Sequence, residues 1–186
     1  MRKIILVLIL IVPAVSFAQS SNADSNYIFW SKDRRLQEND FKIKVHNNSN
    51  TSSFAQFGFD YKVGSSFAFG LPKDYKKKIR NYLIKSASWI DTSRDVSVTI
   101  RYQQALFDME EIYVRKFRKT VFENRKKIAW GKLKIDEINA QAMTGFSNRR
   151  VQYDTETNFG TIASKQKEWE DKISGELDEF KEFSAD

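Results

Sequence analysis

The stretch Arg101–Lys119, R-Y-Q-Q-A-L-F-D-M-E-E-I-Y-V-R-K-F-R-K, decides the fold of this 186-residue chain. Its apolar residues recur every three or four positions, which is the spacing of one face of an α-helix. These residues are Tyr102, Leu106, Met109, Tyr113 and Phe117, continued by Val121. A second face, which we expect to meet water, carries Gln104, Asp108, Glu111, Arg115 and Lys119. The sequence therefore predicts one long amphipathic helix at the centre of the protein.

The first eighteen residues have the pattern of a secretory signal peptide. Arg2 and Lys3 form a basic start, an unbroken apolar run follows from Ile4 to Val12, and small residues flank Phe17. The apolar run is too short to span a bilayer, although a retained anchor is the alternative. We expect cleavage near Ala18, export to the periplasm or the medium, and no membrane span in the mature chain.

Composition narrows the class of protein. The chain contains no cysteine, so neither a disulfide nor a lipid-anchored cysteine is available. Its formal net charge is +7, but charges of both signs are interleaved except at Lys76–Lys78 with Arg80. A nucleic-acid-binding surface would need a basic stripe with exposed aromatic residues, and we interpret this cluster as a solvated helix face. We therefore predict no nucleic-acid partner.

Strand patterns dominate the first part of the chain, after a flexible leader predicted at residues 19–28. Phe41 to Val45 alternates apolar and polar residues, as a half-buried strand does. Phe54 to Val63 has the same pattern, and Phe67 to Leu71 is long enough for a third short strand. These segments predict a small antiparallel sheet within a single domain over residues 29–186.

Helical patterns occupy the rest of the chain. Pro72 begins a predicted helix with apolar residues at Tyr75, Ile79, Tyr82 and Leu83, which Trp89 closes. After the long helix we expect a shorter one over 133–143, a polar connection over 145–160 and a last helix from about Ser164. Strands followed by helices predict the α+β class.

Three short motifs lie along these elements. The first is Ser88-Trp89-Ile90. The second is held within the long helix by Gln104, Phe107, Asp108, Glu111, Ile112, Tyr113, Arg115, Lys116, Arg118 and Lys119. The third is Tyr153, Asp154, Glu156, Thr157 and Gly160, followed by Gln166, Trp169 and Ile173.

Together with Arg35-Leu36 and Asp40-Phe41, these motifs resemble a bacterial family of exported proteins of unknown function (domain of unknown function 922), described as secreted zinc-dependent proteases. Its pattern contains S-W-[VI], then H-E-Q-x-H-F-D-[IL]-x-E-I-Y-A-R-K-L-R-K, then Y-D-x-E-T-x-H-G. The resemblance covers most of the chain, from about Trp30 to Leu177. It implies a zincin-like protease architecture around the long helix.

The same resemblance locates a missing metal site. In H-E-x-x-H, two histidines bind zinc and the glutamate acts as general base on the bound water. Here Tyr102 and Leu106 stand where the family has histidines, Gln103 stands for the glutamate, and Phe159 for the later histidine. Leu and Phe have no donor atom, a neutral Tyr is a poor ligand, and Gln cannot exchange a proton. We therefore predict no catalytic residue, no zinc and no other cofactor, with Leu106 and Phe159 filling the former site.

Carboxylates and one histidine remain to be assigned. The resemblance places Asp108, Asp154 and Glu156 beside the former ligands, where they would have oriented them. With Glu110 and Glu111 they could form a repurposed metal or acid–base site, but we favour helix salt bridges and loop capping, with Asp108 holding a loop. We interpret the only histidine, His46, as a polar residue at a strand end, and Tyr102 as a core aromatic.

The sequence thus leads to one expectation about function and to two alternatives. We expect an exported, catalytically inactive relative of a zinc-dependent protease, serving as a binding or structural protein of the cell envelope with a protein or peptide partner. One alternative is a hydrolase with a rearranged metal site. The other is a regulatory partner of an active homologue, for which an exposed hydrophobic patch would be expected.

Overall fold

The computed structural model describes residues 26–47, 51–61 and 71–186. The predicted signal peptide, the leader up to residue 25, Val63 and residues 67–70 lie outside the described residues. Six strands are present in the described part: Tyr27–Phe29 (β1), Ile43–Val45 (β2), Ser53–Phe54 (β3), Phe57–Asp60 (β4), Arg80–Ile84 (β5) and Trp89–Asp91 (β6). Tyr27 and Ile28, expected at the end of the flexible leader, therefore belong to a strand.

The strands form two sheets of three strands each rather than one antiparallel sheet. The first sheet has the order β1-β5-β4 and is antiparallel, with Leu83 opposite both Ile28 and Phe57. The second has the order β2-β6-β3, in which β2 is parallel to β6 and β3 is antiparallel to it. Apolar alternation predicts strands but carries no information about their partners. The two strands of the parallel pair are separated along the chain by β3, β4 and β5, as a parallel crossover requires.

The helix predicted from Pro72 to Trp89 is wrong over most of its length. Only Tyr75–Lys78 is helical (α1), and the chain then enters β5. Asn81 and Leu83 of β5 are buried whereas their neighbours are partly exposed, which is the period-two pattern of a strand. Ile79 and Leu83 are four residues apart, so they fit both periods, and the apolar residues alone could not decide between helix and strand.

Four further helices follow: Val96–Glu123 (α2), Arg125–Ala129 (α3), Ile135–Thr157 (α4) and Ala163–Glu179 (α5). The predicted long helix α2 is confirmed; the Asp95 side chain caps it by accepting hydrogen bonds from the backbone N–H groups of Ser97 and Val98. The last helix is confirmed as well. The polar connection predicted after residue 145 is wrong, because α4 continues without a break to Thr157. No helix of the described residues is long and apolar enough to cross a membrane.

Packing against α2 explains why α4 continues past residue 145, where the sequence predicted a polar connection. The two helices make a close crossing in which a Cβ added to Gly145 would lie 2.7 Å from Cε1 of Tyr113. Glycine and polar residues normally weaken a helix, but here the small residue lets the helices approach. The helix is thus stabilised by a tertiary contact that local sequence does not reveal.

The central helix α2 is buried on every face between Tyr102 and Ile112, which corrects the expectation of a solvated polar face for this part of the helix. Its first half packs in one apolar cluster with both sheets, α4 and α5, and its second half packs in another with α1 and α4. Gln104, Asp108, Glu111 and Arg115 are all buried. Their polarity does not mark a wet surface; it reflects hydrogen bonds and ion pairs inside the protein, because buried polar groups normally need such partners.

An ion-pair network fixes the C-terminal end of the chain against α2. Oε1 of Glu111 accepts hydrogen bonds from Nε of Arg115 at 3.0 Å and from Nη1 of Arg118 at 2.7 Å. Arg115 also donates to the carbonyl of Leu177, and Arg118 donates to the carbonyl of Phe183. This buried network connects α2 to α5 and to the final 3-10 turn, Lys181–Phe183.

Candidate functional site

A cleft of about 640 Å³ opens between the first turns of α2, strand β3 and the turn that follows α4. Its walls combine hydroxyl groups, aromatic rings and two guanidinium groups. The lining includes Ser52, Ser53, Phe54, Trp89, Arg94, Thr99, Tyr102, Arg150, Phe159 and Thr161. Two of the residues that the family resemblance singles out, Tyr102 and Phe159, therefore lie in the wall of this cleft.

Tyr102 forms the inner wall and is fixed from two sides. Its ring stacks on that of Tyr153 with 5.3 Å between centroids, and its hydroxyl donates a hydrogen bond of 2.5 Å to Oδ1 of Asp154. Burial and this hydrogen bond raise the pKa of Tyr102 far above its ordinary range, so the phenol stays protonated. Burial also raises the pKa of Asp154, although Arg150 lies 3.6 Å from its other oxygen. As expected, Tyr102 is a core aromatic with a satisfied hydroxyl.

Gln103 and Leu106 continue from Tyr102 into the interior. Nε2 of Gln103 donates to the hydroxyl of Ser53 at 2.8 Å, which ties α2 to β3. Its Oε1 is buried and has no hydrogen-bond partner among the described residues. Leu106 is fully buried in the same apolar cluster as Tyr102 and Tyr153, and it does not line the cleft. Leu106 thus fills interior space, as the sequence predicts.

Phe159 does not fill the former site, which corrects the expectation for this residue. Its side chain is 51% exposed, and its ring lies at the rim of the cleft with its centroid 6.3 Å from that of Tyr102. The reason is the backbone of the turn after α4, where Asn158, Phe159 and Gly160 have φ values of 46°, 55° and 83°. This left-handed turn reverses the chain and leaves the Phe159 side chain outside the core.

Gly160 is required where the turn meets α2. A Cβ added to it would lie 2.6 Å from Cβ of Tyr102, so any larger residue would push the turn off the helix. The backbone N–H of Gly160 also donates to the hydroxyl of Thr157, which in turn donates to the carbonyl of Tyr153. The third sequence motif is thus a turn that fastens the end of α4 onto α2.

The other residues of the third motif join α4 to α5 and do not line the cleft. The Tyr153 hydroxyl donates to Oε1 of Gln166 at 2.7 Å, and the carbonyl oxygen of Tyr102 lies 3.2 Å from the same hydroxyl. Glu156 accepts a hydrogen bond of 2.8 Å from Nε1 of Trp169. Glu156, singled out as a neighbour of the former ligands, therefore holds α4 and α5 together.

Asp108 lies away from the cleft and holds the segment that precedes β2. Its Oδ1 accepts hydrogen bonds from Nε1 of Trp30 and Nε2 of Gln104, both at 2.8 Å, and its Oδ2 accepts one from Arg35 at 3.0 Å. Gln104 adds a hydrogen bond from the backbone N–H of Leu36. The predicted loop-holding role of Asp108 is therefore confirmed.

Zinc does not fit the residues at the former ligand positions. The Tyr102 hydroxyl is committed to Asp154 as a donor, and neither Leu106 nor Phe159 has an atom that could bind a metal. His46 is exposed directly after β2. Within residues 26–47, 51–61 and 71–186, no group of three or more His, Cys, Asp or Glu side chains is placed to hold a metal ion. The absence of zinc from the protein remains a prediction.

Three cleft residues were missed by the sequence analysis. Arg150 lies four residues before Asp154, a spacing that would have revealed the pair had α4 been predicted through this region. Ser53 gave no signal, because its contact with Gln103 joins residues fifty positions apart. Arg94 lies between β6 and α2 and pairs with Asp91 at 3.8 Å.

Comparisons of the chain with protein-family models, curated proteins and solved structures find no match. The resemblance to exported zinc-dependent proteases thus depends on the quoted motifs, and the zincin-like architecture remains a hypothesis.

Proposed function

We propose that this chain is an exported, catalytically inactive relative of zinc-dependent proteases that binds an extended segment of another protein in the cleft beside Tyr102. In this proposal the long helix, the flanking sheet and the turn after α4 keep the arrangement of a zincin-like protease. The proteolytic activity has been lost, and the cleft binds the partner segment in the cell envelope.

One observation carries the proposal. Tyr102 and Phe159 are separated by more than fifty residues in sequence, yet they meet at one cleft, with Gln103 directly behind it. The resemblance assigns two zinc ligands and the general base to these three positions. Their convergence is expected of a former active site and would be fortuitous for a chance motif match. The side chains now present there support packing and hydrogen bonding, not metal-assisted hydrolysis.

The cleft has the features of a peptide-binding groove. Strand β3 is an outer strand of its sheet and forms one wall, and outer strands can pair with an added strand from a partner. Phe54 and Phe159 are partly exposed aromatic side chains at the walls, suited to anchoring apolar side chains. Arg94 and Arg150 add guanidinium groups that can donate hydrogen bonds to the carbonyl groups of a bound segment, and each also pairs with a carboxylate, Asp91 or Asp154.

An array of short unstructured peptides, probed with the full chain, tests this function. We expect binding to peptides that contain an aromatic residue, and we expect the bound peptides to remain intact in the presence of added zinc. Phe54→Ala should weaken binding roughly tenfold, because it removes one apolar anchor from the cleft wall.

Phe29→Ala is the matched control. Phe29 is a similarly exposed aromatic residue on β1, an outer strand of the other sheet, and its replacement should leave peptide binding unchanged. Equal losses in both variants, cleavage of the bound peptides, or the absence of any bound peptide would contradict the proposed function.

A further inference from the structure

A second surface, at the far end of α2 from the cleft, combines exposed aromatic rings with positive charge. We call it the Trp130 surface, and it consists of Lys73, Phe122, Arg125, Lys126, Trp130 and Lys132. All of these residues except Lys132 line one groove, together with Leu71, Pro72, Tyr75 and Ala129. Trp130 is 68% exposed, the largest exposure among the large apolar side chains of the described residues.

Helix α3 ends in a geometry that fixes this exposed tryptophan. The backbone N–H of Gly131 donates to the carbonyl of Ile128, and that of Lys132 donates to the carbonyl of Lys127. Gly131 has a φ of 68°, so the two bonds form a Schellman motif that stops the helix directly after Trp130. The tryptophan and the following lysine are therefore presented on a defined turn rather than on a loose loop.

The charge of this surface is uncompensated. Residues 119–134 contain six basic residues and one acidic residue, whereas most of the chain, apart from Lys76–Lys78 with Arg80, interleaves the two signs. Over the described part of the chain, Lys73, Arg125, Lys126 and Lys132 form no ion pair. Two of these cations instead lie over aromatic rings: Arg125 is 4.6 Å from the centroid of Phe122, and Lys132 is 5.4 Å from that of Trp130.

From these features we infer that the Trp130 surface docks onto a membrane surface rich in anionic lipid headgroups. Clustered Lys and Arg side chains are attracted to anionic headgroups, and indole rings are enriched at the boundary between headgroups and acyl chains. The apolar groove beside Trp130 continues the surface that would reach this boundary. The contact is peripheral and would hold the chain at the envelope without any spanning segment.

The placement of the surface leaves the cleft accessible on a bound molecule. Helix α2 has 28 residues and is therefore about 40 Å long; the cleft lies at its first turns and the Trp130 surface just beyond its last. A chain docked through Trp130 would project its cleft away from the lipid. The inference is independent of what the cleft binds.

Vesicle co-sedimentation tests the inference directly. The full chain is mixed with vesicles of phosphatidylcholine alone and with vesicles that also contain phosphatidylglycerol. We expect additional binding to the anionic vesicles, which falls as salt is added. Trp130→Ala should weaken this additional binding roughly tenfold, and the double variant Arg125→Glu, Lys126→Glu should weaken it tenfold or more. The apolar N-terminal run is common to all variants, so it cancels in the comparison.

The matched control is the double variant Lys165→Glu, Lys167→Glu. It changes the net charge by the same amount on exposed residues of α5, near the opposite end of α2. It should bind the anionic vesicles within about twofold of the parent chain. An equal loss in the two double variants, unchanged binding after Trp130→Ala, or equal binding to neutral and anionic vesicles would overturn the inference. Binding to heparin or DNA that does not depend on Trp130, without vesicle binding, would overturn it as well.

Discussion

Replacing Glu111 with Gln is expected to lower the free energy of unfolding by about 3–5 kcal/mol. Glu111 is 1% exposed, and its Oε1 is the shared acceptor of Arg115 and Arg118. Removing the negative charge leaves two guanidinium groups close together in the interior and removes the one ion pair that each of them forms among the described residues. Burial already lowers the pKa of Arg118, so this charge depends on its partner.

The loss should also be visible in the part of the fold that the network holds. Because Arg115 and Arg118 donate to the carbonyls of Leu177 and Phe183, we expect faster amide hydrogen exchange in the last turns of the chain. Chemical denaturation of the parent and the variant measures the free energy. A change below about 1 kcal/mol would contradict a stabilising role for this buried network.

Replacing the adjacent Glu110 with Gln should have the opposite effect and raise the free energy of unfolding above neutral pH. Glu110 is 2% exposed, and its Oε2 has no hydrogen-bond partner among the described residues. Burial raises the pKa of Glu110 from its ordinary value of 4.5 to about 8, with Glu111 adding to the shift and Asn81 and Arg150 opposing it. The folded protein therefore holds a protonated carboxyl group at neutral pH.

The pH dependence follows from the two pKa values. Below pH 4.5 the carboxyl group is protonated in both states, so the raised pKa has no effect on stability. Between pH 4.5 and about 8 the unfolded chain releases the proton while the folded protein keeps it, so the free energy of unfolding falls as the pH rises. Above about pH 8 the cost is complete, on the order of 5 kcal/mol. Glutamine has no titratable proton, so this decrease in the free energy of unfolding is absent from the variant.

Denaturation of the parent and Glu110→Gln at a series of pH values measures the effect. We expect the two curves to lie close together at acid pH and to separate with the variant more stable as the pH approaches 8. Parallel curves across this range would mean that Glu110 is ionised in the folded protein at neutral pH. Since Glu110 and Glu111 are neighbours on one helix, each variant serves as the control for the other.

The sequence predicted those elements whose periodicity has a single interpretation. The long helix α2 was found because its apolar stripe mixes spacings of three and four, which only a helical period explains. The last helix α5 was found because Gln166, Trp169, Ile173 and Leu177 extend over more residues than a typical strand has. The prediction for the segment with Ile79 and Leu83 was wrong, because a spacing of four residues fits a helix and an alternating strand equally well. Helix α4 failed because its sequence has no strong stripe, and its stability comes from the close contact of Gly145 with Tyr113.

The candidate site was predicted in part, and the failures have physical causes. Tyr102 and Leu106 were correctly placed in the core, since both lie on the apolar stripe of α2. Phe159 was expected inside, but residue type alone did not reveal the left-handed turn that carries its ring to the rim. The polar face of α2 was expected in water, and the burial of its residues depends on partners in distant segments, such as Trp30 for Asp108 and the backbone of Leu36 for Gln104.

Thermal unfolding of the full chain, first with a chelator and then with added zinc, tests the central claim most directly. A metal that binds only the folded protein at a hundred times its dissociation constant would add about 2.7 kcal/mol of stability and raise the midpoint visibly. Since Tyr102, Gln103, Leu106 and Phe159 do not fit zinc, we predict the same midpoint in both conditions. A saturable rise of the midpoint with zinc would contradict the account, and it would mean that a different set of ligands has replaced the one that the sequence lacks.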